Sequence, residues 1–141
     1  MLRAHRSYSD YSTMRLTLHL VLTLEAWIFL VLYDLIGLLG VSRSYRLVRR
    51  CPVVGAAHNA ARTAQICRAV DEACVWYVHR VFCLQRSAVT TALLRLHGIA
   101  ADLVIGYRPV PVESHAWVEV ARTVVNDRPQ YQQRFLELDR L

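Results

Sequence analysis

Three places in the second half of the chain carry residue types that acyl-transfer chemistry needs: Cys83, His115 and the pair Asn126–Asp127. Cys83 follows the apolar pair Val81–Phe82 where a helical run begins. Backbone N–H groups at a helix start point outward and favour negative charge, so a thiol placed there ionises more easily. The other cysteines lack that position. Cys51 precedes a proline, while Cys67 and Cys74 fall inside a helical run, and we read all three as small buried hydrophobes. A thiol–imidazole pair supplies both the nucleophile and the proton shuttle of acyl transfer. His115 opens an alternating run at a strand edge. A third group must hold its ring in the right tautomer, and Asn126–Asp127 offers an amide and a carboxylate.

The elements that must position these groups follow from periodicity. A first helix is expected from about Thr13 to Leu39, stopping near Gly40, after a polar, frayed start. A short basic helix spans Ser42 to Arg50, and Pro52 and Gly55 punctuate the chain. Apolar residues at three- and four-residue spacings predict a second long helix from about Ala56 to Arg80. A further helix covers Cys83 to His97 and closes on Gly98, with His97 as its cap. The period then changes to two. Residues 101–107 read as a strand broken by Pro109 and Pro111. In His115–Val120, His115, Trp117 and Glu119 share one face. Thr123–Asp127 reads as a third strand after a tight turn at Ala121–Arg122, and the tail is mixed. Helices followed by a small antiparallel sheet make an α+β arrangement. A helical part over residues 1–50 would precede a core over residues 51–141.

Register decides between the two candidates for the third group. A two-residue turn pairs Val120 with Thr123 and puts Asn126 on the face of His115. One extra loop residue or a bulge pairs Val120 with Val124 and brings Asp127 within reach instead. Local patterning leaves both open.

Several runs then carry a resemblance: Cys83-Leu84-Gln85-Arg86-Ser87, Leu94-Arg95-Leu96-His97-Gly98-Ile99-Ala100, Leu103-Val104-Ile105-Gly106, His115-Ala116-Trp117-Val118-Glu119-Val120 and Val124-Val125-Asn126-Asp127. Together they resemble the leader peptidases of lasso-peptide biosynthesis, within the wider transglutaminase-like cysteine peptidase group. The close match covers about Cys83 to Leu141; the first 80 residues fit only in general style. The resemblance implies a transglutaminase/papain-like core, with the nucleophile at Cys83, the base at His115 and the acid at Asp127. Asp127 in turn implies the bulged register. The resemblance also implies a looser loop before the cysteine than Val75–Phe82 suggests. Its substrate would be a precursor leader peptide. The expected partners are a separate leader-binding protein and the ATP-dependent lasso cyclase. Gln85 is a candidate second oxyanion donor, and Trp117 is a candidate cover for the His–Asp pair.

Composition narrows the alternatives. The chain has 141 residues and is 55% apolar, enough to bury a core without disulfide or metal staples. All 17 basic residues are arginine, giving a net charge of +6. Their one cluster, Arg43, Arg46, Arg49 and Arg50, lacks the aromatic and glycine pattern of a nucleic-acid module, so we read it as a solvated helix end. No cysteine pair has CxxC spacing, so no metal or other cofactor is expected. Without a convincing secretory signal, free thiols in the cytoplasm are the expectation. Residues 16–41 are long enough to cross a bilayer but contain His19, Glu25 and Asp34. Arg15, His19, Thr23, Tyr33 and Asp34 share one arc of the helical projection, with Glu25 as the exception. We read the segment as a core or partner-binding helix. Two other functions use the same residues: a transamidating acyl transferase, and an inactive scaffold that only docks peptides.

Overall fold

Helix α1 (Leu2–Leu38) leads into α2 (Val41–Arg50) through Gly40, whose φ of 115° lies outside the range a side chain tolerates easily. Then come α3 (Ala60–Val75), α4 (Cys83–Leu96), β1 (Ala101–Pro109), β2 (Val112–Val120), β3 (Thr123–Val124), α5 (Tyr131–Arg134) and β4 (Leu136–Arg140). This computed structural model describes residues 2–55 and 59–141. The strands form one antiparallel sheet in the order β3-β2-β1-β4. The α+β expectation holds, with α4 packed against β1 and β2 and with α1 and α3 packed against α4.

The helical layer is built by apolar residues at helical spacing. Leu22, Ala26 and Leu30 form one stripe of α1, and each is at most 2% exposed. They meet Ile66, Ala69, Val70 and Ala73 of α3 and Val89, Leu93 and Leu94 of α4. Ala101, Val118 and Val120 close this core from the sheet. Three ionisable residues of α1, His19, Glu25 and Asp34, turn toward the body. His19 pairs with Glu72, Glu25 with His97 at 3.0 Å, and Asp34 accepts from Tyr77, His79 and Gln85. Glu25 lies off the polar arc, as expected, and is still reached by His97 at the end of α4. The outward face keeps Leu20, Leu24, Ile28, Leu32 and Leu35 exposed. Ser12–Leu38 is long and apolar enough to cross a membrane.

Several boundaries differ from the sequence expectation. Helix α1 begins at Leu2 rather than near Thr13. The expected start of the second helix, Ala56, lies outside the described residues, and α3 begins at Ala60, where Asn59 caps it by accepting from Arg62 N–H. Helix α3 stops at Val75, leaving Trp76–Phe82 as the looser connection that the family resemblance implied. The tail contributes the edge strand β4, whose exposed Leu136 and Leu138 hid its pairing with β1.

Arg95, on α4, is 7% exposed and ends among backbone carbonyls. It donates to Val48, Cys51, Ala101 and Leu141 and so ties α2, β1 and the C-terminus together. On the far face of the sheet, Trp117 packs with Val104, Val124 and Phe135. Gly106 makes that packing possible: a Cβ there would sit 2.6 Å from Trp117 Cη2 and 2.8 Å from Phe135 Cβ. Gly106→Ala is expected to destabilise the fold by about 1–3 kcal/mol through overpacking. A denaturant titration of the two proteins measures it, and an unchanged midpoint would mean that the ring moves aside freely.

Candidate active site

The site is built where β3 leaves the sheet. Ala121 and Arg122 have φ of 50° and 65°, the two positive values that a two-residue hairpin turn requires. Val120 pairs with Thr123 and Glu119 with Val124, so the register is the two-residue one and the bulged register is overturned. Asp127 nevertheless reaches His115. The reason lies one pair further on. Val125 N–H donates to Val118 O, but the return bond from Val118 N–H goes to Asn126 Oδ1 at 2.7 Å. The Asn126 amide thus takes the place of a backbone carbonyl, since facing residues of such a pair normally exchange both bonds. The chain turns out of the ladder there, and Asp127 swings round to the imidazole. Its Oδ2 lies 3.0 Å from His115 Nε2.

Beyond that point, α4 replaces β3 along the edge of β2. Cys83 and Ser87 stand one turn apart on the same side of α4. Ser87 Oγ donates to Ala116 O at 2.9 Å, and the backbone of the same Ala116 helps to lower the Cys83 thiol. Ser87 also accepts from Asn126 Nδ2 at 3.0 Å. One edge residue of β2 therefore registers the helix carrying the thiol against the strand carrying the imidazole. Ser87 is fully buried and Asn126 is 8% exposed. Asn126 is spent on this scaffold, while Asp127 faces His115.

Cys83, His115 and Asp127 are all half-buried, with His115 bonded to Asp127 and influenced by the thiol of Cys83. Nε2 faces the carboxylate, leaving Nδ1 for the thiol. The hydrogen bond from His115 holds the Cys83 thiol below its ordinary range, against burial, with help from the N–H groups of Ala116 and Leu84. The bond to Cys83 raises His115, again against burial, and Asp127 adds to the rise. Both shifts run in the direction that favours the thiolate and the imidazolium. The other thiols contrast sharply. Burial pushes Cys67 up to about 12 and Cys74 up to about 11.

The remaining expected residues fall into place around these three. Trp117 stacks near His115, with ring centroids 6.3 Å apart, and its Nε1 donates to buried Glu119. Tyr131 at 4.2 Å and Phe135 at 5.8 Å complete an aromatic wall around the imidazole. Both lie in the tail, where no periodicity pointed to them. Gln85 is buried and donates to Asp34 Oδ1 at 2.8 Å, so its amide anchors α4 to α1. His97 ends α4 as expected, but its ring also bridges Glu25 and Arg62. Arg86, singled out only as part of a motif, sends Nη2 to Asp127 Oδ2 at 2.7 Å.

The family described as the transglutaminase-like superfamily matches residues 26–140. The microcin J25-processing protein McjB of Escherichia coli is 47% identical over 47 residues, which are 33% of this chain. That stretch covers only 23% of the relative's length. No solved structure matches. With a match over most of its length, from within α1 to the end of β4, the chain belongs to the transglutaminase-like superfamily.

Proposed function

We propose that this protein is a cysteine peptidase that removes the leader from a ribosomally made lasso-peptide precursor. The observation that carries the reading is the pairing of His115 with Asp127 at 3.0 Å, together with a Cys83 thiol at the start of α4 that the imidazole holds low. His115 takes the thiol proton and Cys83 attacks the scissile carbonyl. Backbone N–H groups at the start of α4 face the developing oxyanion. His115 then protonates the leaving amine, which becomes the new N-terminus of the core peptide. Water, activated by His115, hydrolyses the acyl-enzyme. Asp127 holds the ring and stabilises its charged form. Similarity to a microcin J25-processing protein supports a processing role on a peptide, and the motif resemblance narrows that role to leader removal.

The reading implies partners. A separate leader-binding protein would deliver the precursor, and an ATP-dependent cyclase would consume the freed amine, all in the cytoplasm. The helical part up to residue 50 would serve docking and residues 51–141 the chemistry. The exposed apolar face of α1 is the surface we assign to the leader-binding protein. Leu24→Glu with Ile28→Glu is expected to abolish its capture in a pull-down, and unchanged capture would remove the assignment.

Peptide mass tests the function. Wild type and Cys74→Ala should cut a leader–core precursor supplied with the leader-binding protein, and Cys83→Ala should not. Cleavage by Cys83→Ala would sink the assignment. A transamidating enzyme would show itself by a product joined to an added amine instead of one carrying the mass of water.

A further inference from the structure

We infer that Arg86 is a positioning residue for His115: it fixes Asp127 from the helix that carries Cys83 and shares one carboxylate oxygen with the imidazole.

Asp127 has left the sheet by three residues, since β3 ends at Val124. Its Oδ1 accepts from the N–H of the next residue, Arg128, which holds nothing across the fold. Its Oδ2 receives both His115 Nε2 at 3.0 Å and Arg86 Nη2 at 2.7 Å. One oxygen thus spends its lone pairs on two nitrogen donors from two different elements. The same Nη2 reaches the carbonyl of Asn126 at 3.2 Å, so Arg86 grips the backbone beside the carboxylate as well. Nη1 lies 3.4 Å from Asp71 Oδ1 on α3. The guanidinium therefore spans α3 and the loop of the acid, and its own helix starts at the thiol three residues earlier. A lysine could supply the charge but not this fork.

The shared oxygen has an electrostatic consequence. An imidazolium is stabilised by a carboxylate, and a guanidinium on the same oxygen opposes that stabilisation. The groups facing His115 are Cys83 from α4, Asp127 from the loop after β3, Tyr131 from α5, and the uncharged rings of Trp117 and Phe135. Arg86 and then Asp71 stand behind Asp127. Arg86 thus restrains the rise of His115 while holding the carboxylate that causes part of it.

The test titrates the ring of His115 by NMR in histidine-labelled protein, with the pH profile of kcat/KM alongside. The inference rests on the peptidase reading only for the second readout. Arg86→Gln removes the charge, so the ring titration and the alkaline limb should move up by about one pH unit. Arg86→Lys keeps the charge and loses the fork. Its limb should stay in place while kcat/KM falls about tenfold. Asp71→Asn frees the guanidinium for Asp127 and should move the ring titration down, which serves if Arg86→Gln does not fold. A fall in kcat/KM with no movement of the ring in Arg86→Gln or Asp71→Asn would make Arg86 a merely structural ion pair and overturn the inference. If the ring moves as stated but the wild type cleaves no precursor, the positioning role stands and the peptidase reading fails.

Discussion

His115→Ala should lower precursor cleavage on the order of 10⁴-fold, because one ring performs proton removal, leaving-group protonation and thiol activation. The fall has a second signature. The bond from His115 is the largest influence that lowers the Cys83 thiol, and burial opposes it. Without the ring, burial prevails and the thiol returns to its ordinary range or above. Alkylation of Cys83 by iodoacetamide near pH 6 should then drop about tenfold or more, as each unit of pKa is a factor of ten in thiolate. The variant should keep its fold. His115 is only half-buried, and the scaffold bonds at Ala116 run through backbone, Ser87 and Asn126. Cleavage lost with alkylation unchanged would place His115 in proton transfer alone and contradict the ion-pair account.

Arg95→Met should cost about 3 kcal/mol or more of stability, since each buried acceptor left without a donor costs about 1–3 kcal/mol. Methionine fills a similar space and donates nothing. The carbonyls of Ala101, Val48 and Leu141, each bonded at 2.8 Å, would lose their donor, as would Cys51 O at 3.3 Å. Buried acceptors left without partners carry the full cost of their lost solvation. The end of β4 should loosen first, since among the described residues the backbone of Leu141 otherwise bonds to Leu103 of β1. Thermal unfolding measures the stability, and hydrogen exchange at Leu103 and Leu141 locates the opening. A variant as stable as wild type would show that water replaces the guanidinium at no cost.

The sequence made part of this architecture legible. Cys83 stood out because it begins a helix, and α4 does begin there. His115 and Trp117 stood out through alternation, and β2 places them together on one face. The choice of Asp127 came from resemblance, coupled to a bulge that the structure replaces with a side-chain substitution by Asn126. No periodic pattern encodes that device, because it depends on one amide occupying the place of a carbonyl. Arg86, Ser87 and Arg95 were equally silent. Their partners are backbone atoms, an amide and two carboxylates on other elements, and a lone arginine on a helix looks the same whether it faces solvent or four carbonyls. The polar residues of α1 gave half their meaning. Their positions argued against a lipid-facing role, but Glu72, His97 and Tyr77 as partners required the helices to be packed.

The account rests on a thiol activated by its place between β2 and α4, and one measurement addresses that directly. Folded protein is treated briefly with iodoacetamide near pH 6 and its four cysteines are mapped by mass. The account predicts modification at Cys83, with Cys67 and Cys74 silent because burial has pushed them up to about 12 and about 11. Modification at Cys67 or Cys74 ahead of Cys83 would contradict it.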